Sequence, residues 1–422
     1  MKPAQQRFTA LDLAHQQIDD LDSRLLRRRL QQTQSPCDTT LLVAGRALNA
    51  FCSNDYLGLA NHPALIAAMA EGASRYGAGS GASHLISGHS IAHDLLETEL
   101  ARCQNHHIPQ ARALFFCTGY LANITAITAL AGLGANAPQS NPGISIYSAK
   151  LNHASLIDGV KLAAAQTKAH VHLFDHADLG QLKNALAGDT AAHKLIVIDG
   201  VFSMDGDLAP VPELLALAHA FDALLIVDDA HGFGVLGEHG HGILEHFQMQ
   251  SNRIVYIGTL GKAAGVSGAF VCAHETLLEC LIQKGRPYIY STATPPAIAH
   301  TLLTSLTLIE GEEGRKRRAH LRSLISIWQE ELSFMRWHRT ESTTPIQPII
   351  LGSNASALAA SRLLDQAGYW IPAIRPPTVP DGSARLRITF SANHSIDAVR
   401  ALMRQLQKIE TQVLVDKNAA LP

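Results

Sequence analysis

The chain has 422 residues, a length that predicts two or three structural units rather than one core. Hydrophobic residues make up 47% of the chain and charged residues 17%, and the formal net charge is −2. No basic block stands out, so neither nucleic acid nor an anionic membrane surface is expected as a partner.

The spacing of the cysteines and histidines bears on the cellular compartment of the protein and on metal binding. The six cysteines are scattered without a CxxC pair, as in reduced cytoplasmic proteins. No apolar signal segment opens the chain, and no run of 18 apolar residues occurs, so neither secretion nor a membrane span is predicted. The 22 histidines include no HExxH or similar spacing, so no metal site is expected.

The first part of the chain divides at about residue 50. Residues 1–50 are polar and helix-prone, which predicts an N-terminal helical arm, and they contain three adjacent arginines at 27–29. From residue 51 a turn-rich segment leads into an alanine-rich helix, the start of a predicted large domain over 51–290. The glycine- and serine-rich stretch 77–83 fits either a flexible linker or a loop of that domain.

Strand-like runs then alternate with helical patterns. They lie at residues 113–116, 144–147, 170–174, 195–198, 224–227, 254–257 and 269–272. Such alternation predicts a mainly parallel sheet covered by helices on both faces. From residue 291 a long helical stretch, 297–334, introduces a predicted smaller C-terminal α/β domain over 291–422. Its expected strands are near 347–351, 370–374 and 386–390, and its helices span 355–366 and 396–409.

A single lysine lies among small residues directly after the run 254–257. Lys262 stands in the segment 258–265, where a ligand can approach the backbone closely. The spacing excludes a P-loop, because Tyr256 occupies the position of its first glycine and Ala263 replaces the Ser or Thr that holds Mg²⁺. On this segment alone, a solvated loop lysine remains the alternative.

Acidic residues and a histidine follow the buried run 224–227, namely Asp228, Asp229 and His231. Ligands of open α/β sheets bind at the carboxyl ends of the strands, so Asp228 and Lys262 are expected to face one crevice. A lysine, an acid and a cofactor ring form the constellation of pyridoxal 5′-phosphate (PLP), which a lysine carries while a carboxylate pairs with its pyridinium nitrogen.

Four further segments place polar or small residues at predicted element ends: Gly119 and Tyr120, His153, Ser203, and the pair Arg385 and Arg387. The N–H groups at a helix start near Gly119 suit a phosphate. The His153 ring could cover a flat cofactor, and helix capping is an equally good interpretation. Alternation along a strand would point both arginines to one face.

These segments carry a family resemblance. In chain order they include motifs at residues 53–59, 79–81, 93–97, 152–155, 201–207, 228–232, 259–262 and 375–380. From about residue 21 to 406 the chain resembles the α-oxoamine synthases, which are fold-type-I PLP enzymes. The resemblance implies an aspartate-aminotransferase-like α/β fold, with a large mainly parallel sheet domain and a smaller C-terminal α/β domain, and a homodimer.

The same resemblance assigns roles to individual residues. It implies that Lys262 carries PLP, that Asp228 pairs with the pyridinium nitrogen, and that His231 binds the ring hydroxyl. His153 would stack on the ring and act as an acid. The remaining implied residues are Ser203 in the cofactor pocket, Thr259, Gly119 and Tyr120 at the phosphate, Arg387 at the amino-acid carboxylate, Thr378 in the substrate pocket and Arg27 near the acyl substrate. The three adjacent arginines leave open which of them has this last role.

The resemblance also implies a reaction. The motif at 375–380 is most similar to the biotin-biosynthetic branch, which condenses L-alanine with a pimeloyl thioester on coenzyme A or an acyl carrier protein. Sister enzymes that use glycine or serine with another acyl-CoA are the alternative: aminoketobutyrate ligase, aminolevulinate synthase and serine palmitoyltransferase. A catalytically silent scaffold would have lost the lysine, and Lys262 is present. Ala82, Ser83 and His84 depart from the family's glycine-rich loop, and Tyr120 and Leu260 stand where relatives often have phenylalanine.

Overall fold

The computed structural model describes residues 9–133 and 143–419. A seven-stranded mixed sheet lies at the centre of the fold. Its strands are β3 (Ala111–Phe116), β4 (Ile144–Ala149), β5 (His170–Phe174), β6 (His193–Asp199), β7 (Ala223–Asp228), β8 (Ile254–Thr259) and β9 (Ala269–His274), in the order β3-β9-β8-β7-β6-β4-β5. Every predicted strand of this sheet is present. The four ladders from β5 to β8 are parallel, and the two that involve β9 are antiparallel, which confirms a mainly parallel sheet.

Successive side chains of the central strands enter two different cores. Ile196, Leu225 and Tyr256 contribute to one hydrophobic cluster, whereas their neighbours Leu195 and Ile226 contribute to the other. Since side chains of a strand alternate between faces, the central strands are buried on both sides, whereas the edge strand β5 is largely exposed. Burial on both sides explains why the central strands read as continuous apolar runs.

Helices cover both faces of the sheet. In the large unit these are α2 (Pro63–Tyr76), α3 (Ile91–Gln104), α4 (Gly119–Ala131), α5 (Ala154–Thr167), α6 (Leu179–Ala187), α7 (Val211–Ala220), α8 (Ile243–His246), α9 (Glu275–Lys284) and α10 (Arg286–Tyr290). The glycine- and serine-rich stretch before α3 is folded rather than a linker. Ser80 Oγ donates to the carbonyl of Ala293 at 2.5 Å, Ser83 forms a β-bridge with Thr292, and a π-helix spans His84–Gly88.

The N-terminal segment is only partly helical. Helix α1 (Ala10–Ser23) fits the prediction of an arm, but β1 (Thr40–Val43) and β2 (Arg46–Ala50) form an antiparallel hairpin that was not predicted. Its two turn residues, Ala44 and Gly45, both have positive φ angles of 48° and 76°, as the tightest hairpin turns require. Ala44 is an unusual residue there, which hides the turn in the sequence.

The C-terminal unit is built on a four-stranded antiparallel sheet in the order β10-β11-β14-β13. Its strands are β10 (His338–Arg339), β11 (Ile346–Gly352), β13 (Ala373–Ile374) and β14 (Ala384–Thr389). Helices α12 (Glu312–Glu331), α13 (Asn354–Gln366) and α14 (Ile396–Ala419) accompany it, whereas α11 (Pro296–Glu310) packs mainly against α2 and α3. The predicted helical stretch 297–334 is therefore two helices, separated at Gly311.

One predicted strand is wrong in a physically clear way. Residues 370–374 do not form a single strand, because Pro372 interrupts the ladder. Before the proline, β12 (Tyr369–Trp370) runs parallel to β2 in a separate three-stranded sheet, and after it β13 pairs with β14. The chain thus passes from one sheet to another at this point. The proposed domain boundaries at residues 50 and 290 stay predictions.

Within residues 9–133 and 143–419, none of the helices combines the length and the apolar character needed to cross a membrane.

Candidate active site

The carboxyl ends of the parallel strands meet at one edge of the large sheet. Asp199 at the end of β6 is in register with Asp228 at the end of β7, which is in turn in register with Ile257 of β8. Lys262 lies three residues beyond the end of β8. This loop turns at Gly265, whose φ is +70° and where a Cβ would lie 2.6 Å from the carbonyl carbon of Leu59. Only glycine permits this close approach.

Lys262 belongs to a line of hydrogen-bonding groups. Its Nζ lies 2.9 Å from Nε2 of His231, and Nδ1 of that ring lies 2.6 Å from the hydroxyl of Tyr56. Burial lowers the pKa of the Lys262 amine to about 8, an effect that Asp228 opposes and Arg387 reinforces. Burial, followed by the charge of Lys262, also lowers the pKa of His231 well below its usual value, so this ring is neutral at pH 7.

Arg387 joins the far end of this line. Its Nε donates to the carbonyl of Ser203 at 2.6 Å, its Nη1 donates to Asn54 Oδ1 at 3.1 Å, and its Nη2 lies 3.5 Å from the Tyr56 hydroxyl. Arg387 is buried, yet none of these partners is a carboxylate. A desolvated guanidinium that binds only neutral oxygens is well suited to receive an anionic ligand.

Arg385 has a different environment, although both arginines belong to β14. Its Nη1 forms an ion pair with Asp205 at 2.6 Å and also donates to the carbonyl of Met204 at 3.0 Å. Its charge is therefore already neutralised by a loop of the large unit. The two arginines, which strand alternation alone could not distinguish, differ in whether their charge remains available.

Asp228 is buried and holds two hydrogen bonds. Its Oδ1 accepts from the backbone N–H of Ala230 at 3.0 Å, and its Oδ2 accepts from Asn123 Nδ2 at 2.6 Å. A carboxylate has about four acceptor positions, so capacity for a further donor remains. Asp229 points elsewhere, because its Oδ2 accepts from the backbone of Ile243 at 2.6 Å and from the hydroxyl of Tyr256 at 2.8 Å.

Asp199 adds a third acid to the same strand edge. Its Oδ2 accepts from the backbone N–H of His153 at 2.6 Å. Complete burial, followed by the neighbouring charge of Asp228, raises the pKa of Asp199 well above its usual value. Asp199 therefore holds its proton to a higher pH than an exposed aspartic acid does.

His153 lies at the start of α5 and presents two different edges. Its Nδ1 edge faces the protein, 2.7 Å from the Ser155 hydroxyl, although the residue as a whole is exposed. Displacement of water around the ring lowers the pKa of His153, an effect that Asp228 opposes. A neutral ring with one open side fits the prediction that it covers a flat cofactor, and it also caps the helix.

The predicted phosphate end lies at the start of α4. Helix α4 begins at Gly119 with Thr118 as its N-cap, and the first N–H groups of a helix have no intrahelical partner. A Cβ at Gly119 would have only Ala269 Cβ within 4 Å, at 4.0 Å, so a ligand has room there. The Tyr120 hydroxyl donates to Asp158 at the surface, and Thr259 donates to the carbonyl of Gly268 at 3.2 Å. The roles of Tyr120 and Thr259 remain predictions.

The N-terminal segment that holds the three adjacent arginines contacts the motif at 375–380. Arg27 forms an ion pair with Asp22 at 2.5 Å, whereas Arg28 Nη2 donates to Thr378 Oγ1 at 3.1 Å. Arg375 donates to the backbone carbonyl of Leu25. The structure thus brings Arg28 to Thr378, and the role of Arg27 near the acyl substrate stays a prediction.

The residues at this edge fit PLP. They supply an amine of lowered pKa, a buried carboxylate with free acceptor capacity, a neutral histidine and a helix N-terminus with open space beside it. In addition, the side-chain oxygen of Asn123 is buried without a hydrogen-bond partner, which is costly unless the site gains more than it loses.

Among residues 9–133 and 143–419, two groups of potential metal ligands lie elsewhere, and sequence spacing did not reveal them. One contains His84, His89 and His93. His93 accepts from the backbone of Ser90 at Nδ1, and its Nε2 lies 2.8 Å from the carbonyl of Thr294. Both of its nitrogens are therefore occupied by hydrogen bonds.

The second group contains Cys103, His241 and Glu310. Glu310 already binds Arg102 at 2.5 Å and His241 at 2.6 Å. Because an arginine neutralises this carboxylate, the cluster reads as an ion-pair network.

Sequence reasoning missed the supporting residues of the site. Four of them, Asn54, Tyr56, Ser155 and Asp199, lie in segments that were recognised as candidates, but no role was predicted for them. Asn123 was not predicted at all. The one available signal for Asn123 is its polar side chain within the apolar helix α4, where all its buried neighbours but Thr125 are apolar.

Comparisons with known proteins agree with the geometry. The family model described as aminotransferase class I and II matches residues 48–406. The 8-amino-7-oxononanoate synthase of Janthinobacterium sp. (strain Marseille) is 55% identical over 397 residues, which cover 94% of this chain and 98% of that protein. The protein of the same name from Bordetella petrii is 54% identical, covering 95% of this chain and 98% of its own.

Solved structures extend the comparison. Serine palmitoyltransferase of Sphingomonas wittichii aligns with a TM-score of 0.84 at 28% identity, covering 96% of this chain and 98% of its own. A serine palmitoyltransferase solved with PLP gives 0.82 at 26% identity, with the same coverage. The 8-amino-7-oxononanoate synthase of Francisella tularensis gives 0.70 at 30% identity, covering 88% of this chain and 99% of its own. The chain therefore has the fold of the type-I PLP enzymes and belongs to the 8-amino-7-oxononanoate synthase family of PLP-dependent acyltransferases.

Proposed function

We propose that the enzyme condenses L-alanine with a pimeloyl thioester to give 8-amino-7-oxononanoate, CO₂ and the free thiol. In this reaction the α-carbon of alanine loses a proton and attacks the thioester carbonyl carbon. The carbon–sulfur bond breaks, and the alanine carboxylate leaves as CO₂. The observation that carries the proposal is the line from Lys262 to Arg387, which sets a base and a carboxylate-binding group in one hydrogen-bonded network.

Lys262 is proposed to hold PLP and to remove the α-proton. When bound, PLP accepts the electron pair that loss of the proton or of CO₂ leaves at the α-carbon. With a pKa of about 8, roughly a tenth of the Lys262 amine is neutral at pH 7. Only the neutral amine is a nucleophile or a base, so burial of Lys262 prepares it for both tasks.

The other residues bind, orient or move protons. Asp228 would accept a hydrogen bond from the pyridinium N–H, His231 would hydrogen-bond the ring hydroxyl, and Ser203 would line the pocket. The helix start at Gly119 and Tyr120, together with Thr259, holds the phosphate. His153 covers the ring and supplies a proton while the new carbon–carbon bond forms. Arg387 fixes the plane of the alanine carboxylate, and hence which bond of the α-carbon is broken.

The acyl substrate is proposed to lie between the arginine run and Thr378. The hydrogen bond from Arg28 to Thr378 favours Arg28 over Arg27 as the arginine that meets it. Both side chains are exposed, so a ligand can reach them. The pimeloyl group is carried by coenzyme A or by an acyl carrier protein, and supplying each thioester to the enzyme distinguishes the two.

We also propose a cytoplasmic homodimer. An apolar face surrounds the π-helix, where Ile86 is 80% exposed and Tyr290 of α10 is 71% exposed. The π-helix and α10 are adjacent because His84 stacks on Tyr288 with ring centroids 4.8 Å apart. Exposed apolar area of this kind marks an interaction surface. Sedimentation of the wild type as a monomer would contradict the dimer.

A substrate screen tests the reaction directly. Holoenzyme is supplied with L-alanine, glycine or L-serine in combination with short-chain, pimeloyl and long-chain thioesters, and CO₂ release is measured. The proposal expects the highest kcat/KM for L-alanine with the pimeloyl thioester. Preference for glycine or serine with another acyl chain would assign the enzyme to a sister activity, and the Lys262→Ala variant gives the background.

A further inference from the structure

A second series of hydrogen-bonded residues lies next to the site, and it begins at Asn123. This residue is buried in α4, 1% exposed. Its Nδ2 donates to Asp228 Oδ2 at 2.6 Å and to the Ser155 hydroxyl oxygen at 2.8 Å. Each of its two amide hydrogens therefore has one acceptor.

The amide orientation of Asn123 follows from its partners. A reversed amide would place Oδ1 against the Asp228 oxygen at 2.6 Å, where two acceptors would repel each other. In the observed orientation Oδ1 has no partner, which costs free energy. The fold tolerates that cost in exchange for two donated hydrogen bonds.

From Asn123 the series of hydrogen bonds continues through Ser155 to His153. Ser155 Oγ accepts from Asn123, so its own hydrogen is free to be donated, and His153 Nδ1 lies 2.7 Å away. The backbone N–H of Ser155 also points at Nδ1, at 3.3 Å. A backbone N–H is always a donor, but this contact is long, so the Ser155 hydroxyl at 2.7 Å is the main donor that makes Nδ1 an acceptor. The proton of the neutral ring is consequently on Nε2.

We propose that Asn123 and Ser155 are positioning residues that hold His153 in the Nε2–H tautomer and tie its ring to the Asp228 carboxylate. The inference rests on the proposed function, in which His153 supplies a proton. It specifies which nitrogen carries that proton and what keeps it there. A ring with its proton on Nδ1 would donate towards the protein and offer only a lone pair to the substrate.

This series of hydrogen bonds also explains how the Asp228 carboxylate acts on both the cofactor ring and His153. Asp228 accepts from Asn123, which donates to Ser155, so a carboxylate proposed to bind the cofactor ring also orients the residue that covers it. Lowering of the His153 pKa by the surrounding protein keeps the ring neutral, which is the only state in which tautomer selection has meaning. Loss of either link should therefore release the tautomer without removing the ring.

Nitrogen-15 NMR of the holoenzyme tests the proposal without substrates. The protein is labelled at histidine, and the His153 signals are identified by their absence from a His153→Gln variant. We expect a protonated Nε2 and an unprotonated Nδ1 in the wild type. Ser155→Ala removes the shorter of the two contacts to Nδ1 and leaves only the backbone contact at 3.3 Å, so it should shift these signals towards those of a tautomer mixture. Asn123→Leu should do so to a smaller extent because the Ser155 hydroxyl remains.

Thr125→Val is the matched control. Thr125 is buried in the same helix, and its hydroxyl donates to the carbonyl of Leu121 at 2.6 Å. It takes no part in the series of hydrogen bonds from Asn123 to His153. This variant should leave the His153 signals unchanged. Ser155→Thr retains a hydroxyl and should restore the wild-type tautomer. A wild-type ring protonated at Nδ1, or unchanged signals in Ser155→Ala, would overturn the proposal.

Kinetics provide a second readout. Ser155→Ala should lower kcat by about ten- to a hundred-fold, part of the usual contribution of a general acid, with the KM for L-alanine changed less than twofold. If Asn123→Leu does not fold, the Ser155 variants alone decide the question. The outcome is separable from the proposed function, because a wild type that made none of the expected product would still show or lack the Nε2–H tautomer.

Discussion

Replacing Arg387 with lysine should separate charge from geometry at the proposed carboxylate site. A guanidinium has five N–H hydrogens in a fixed plane. In Arg387 the Nε hydrogen is used by Ser203 and one Nη1 hydrogen by Asn54, while the contact from Nη2 to Tyr56 is long, at 3.5 Å. At least two hydrogens, one on each terminal nitrogen, remain for a bidentate carboxylate.

The expected loss of affinity for L-alanine follows from the loss of one of the two hydrogen bonds to its carboxylate. A lysine ammonium keeps the charge but binds a carboxylate as a point, so Arg387→Lys forfeits about one charge-assisted hydrogen bond of roughly 1.5–3 kcal/mol. Since 1.4 kcal/mol is tenfold in an equilibrium constant, the apparent affinity for L-alanine should fall by about ten- to two-hundred-fold. The rate of α-proton exchange should fall as well, because the carboxylate plane is no longer fixed.

Arg385→Lys is the matched control on the same strand. Arg385 is paired with Asp205, so lysine there should reduce stability and leave alanine affinity within about twofold. Each holoenzyme variant is titrated with L-alanine, and the change in cofactor absorbance is followed. An unchanged titration for Arg387→Lys beside a collapsed one for Arg385→Lys would refute the assignment.

Further predictions concern the acids, the lysine and the arginine run. Lys262→Ala should fold and lose the absorbance of lysine-bound PLP; borohydride labelling of another lysine in the wild type would contradict this role. Loading of apoenzyme with PLP should accelerate about tenfold per pH unit up to about pH 8 and then level off, because only the neutral amine of Lys262 reacts, whereas a flat profile from pH 6 to 8 would disprove the lowered pKa. Asp228→Asn should slow exchange of the alanine α-proton in D₂O by about ten- to two-hundred-fold with PLP still bound; a larger effect from Asp229→Asn would show that the wrong acid had been chosen. Arg28→Ala should raise the KM of the acyl thioester more than Arg27→Ala does, and the opposite order would restore Arg27 as the contact.

The large sheet was predictable because its signals are local. Each strand buried on both faces is an apolar run, and its bounds in the structure extend the prediction by at most two residues at either end. Lys262, Asp228 and His231 were recognisable for a related reason, since each follows such a strand within a few residues. Strand ends of a parallel sheet converge, so their proximity follows from topology alone.

The remaining parts depend on contacts between distant segments. The hairpin turn at Ala44 and Gly45 lacks a common turn sequence, and the change of sheet around Pro372 is decided by which strand is available to pair. Asn123 is 105 residues from Asp228, and Arg28 is 350 from Thr378. No periodicity or spacing encodes pairs of this kind, so only the folded structure reveals them.

The strand edge that binds PLP in our proposal is organised at a cost to the fold. Three buried acids, Asp199, Asp228 and Asp229, end neighbouring strand segments, and burial raises the pKa of Asp229 to about 7 as well as that of Asp199. An acid whose pKa is higher in the folded than in the unfolded state makes folding less favourable as pH rises from the unfolded pKa to the folded one. Asp199 and Asp229 therefore oppose folding as the pH rises towards neutrality. Selection for stability alone would replace such acids, so their presence beside Lys262 is best explained by the proposed function of this strand edge.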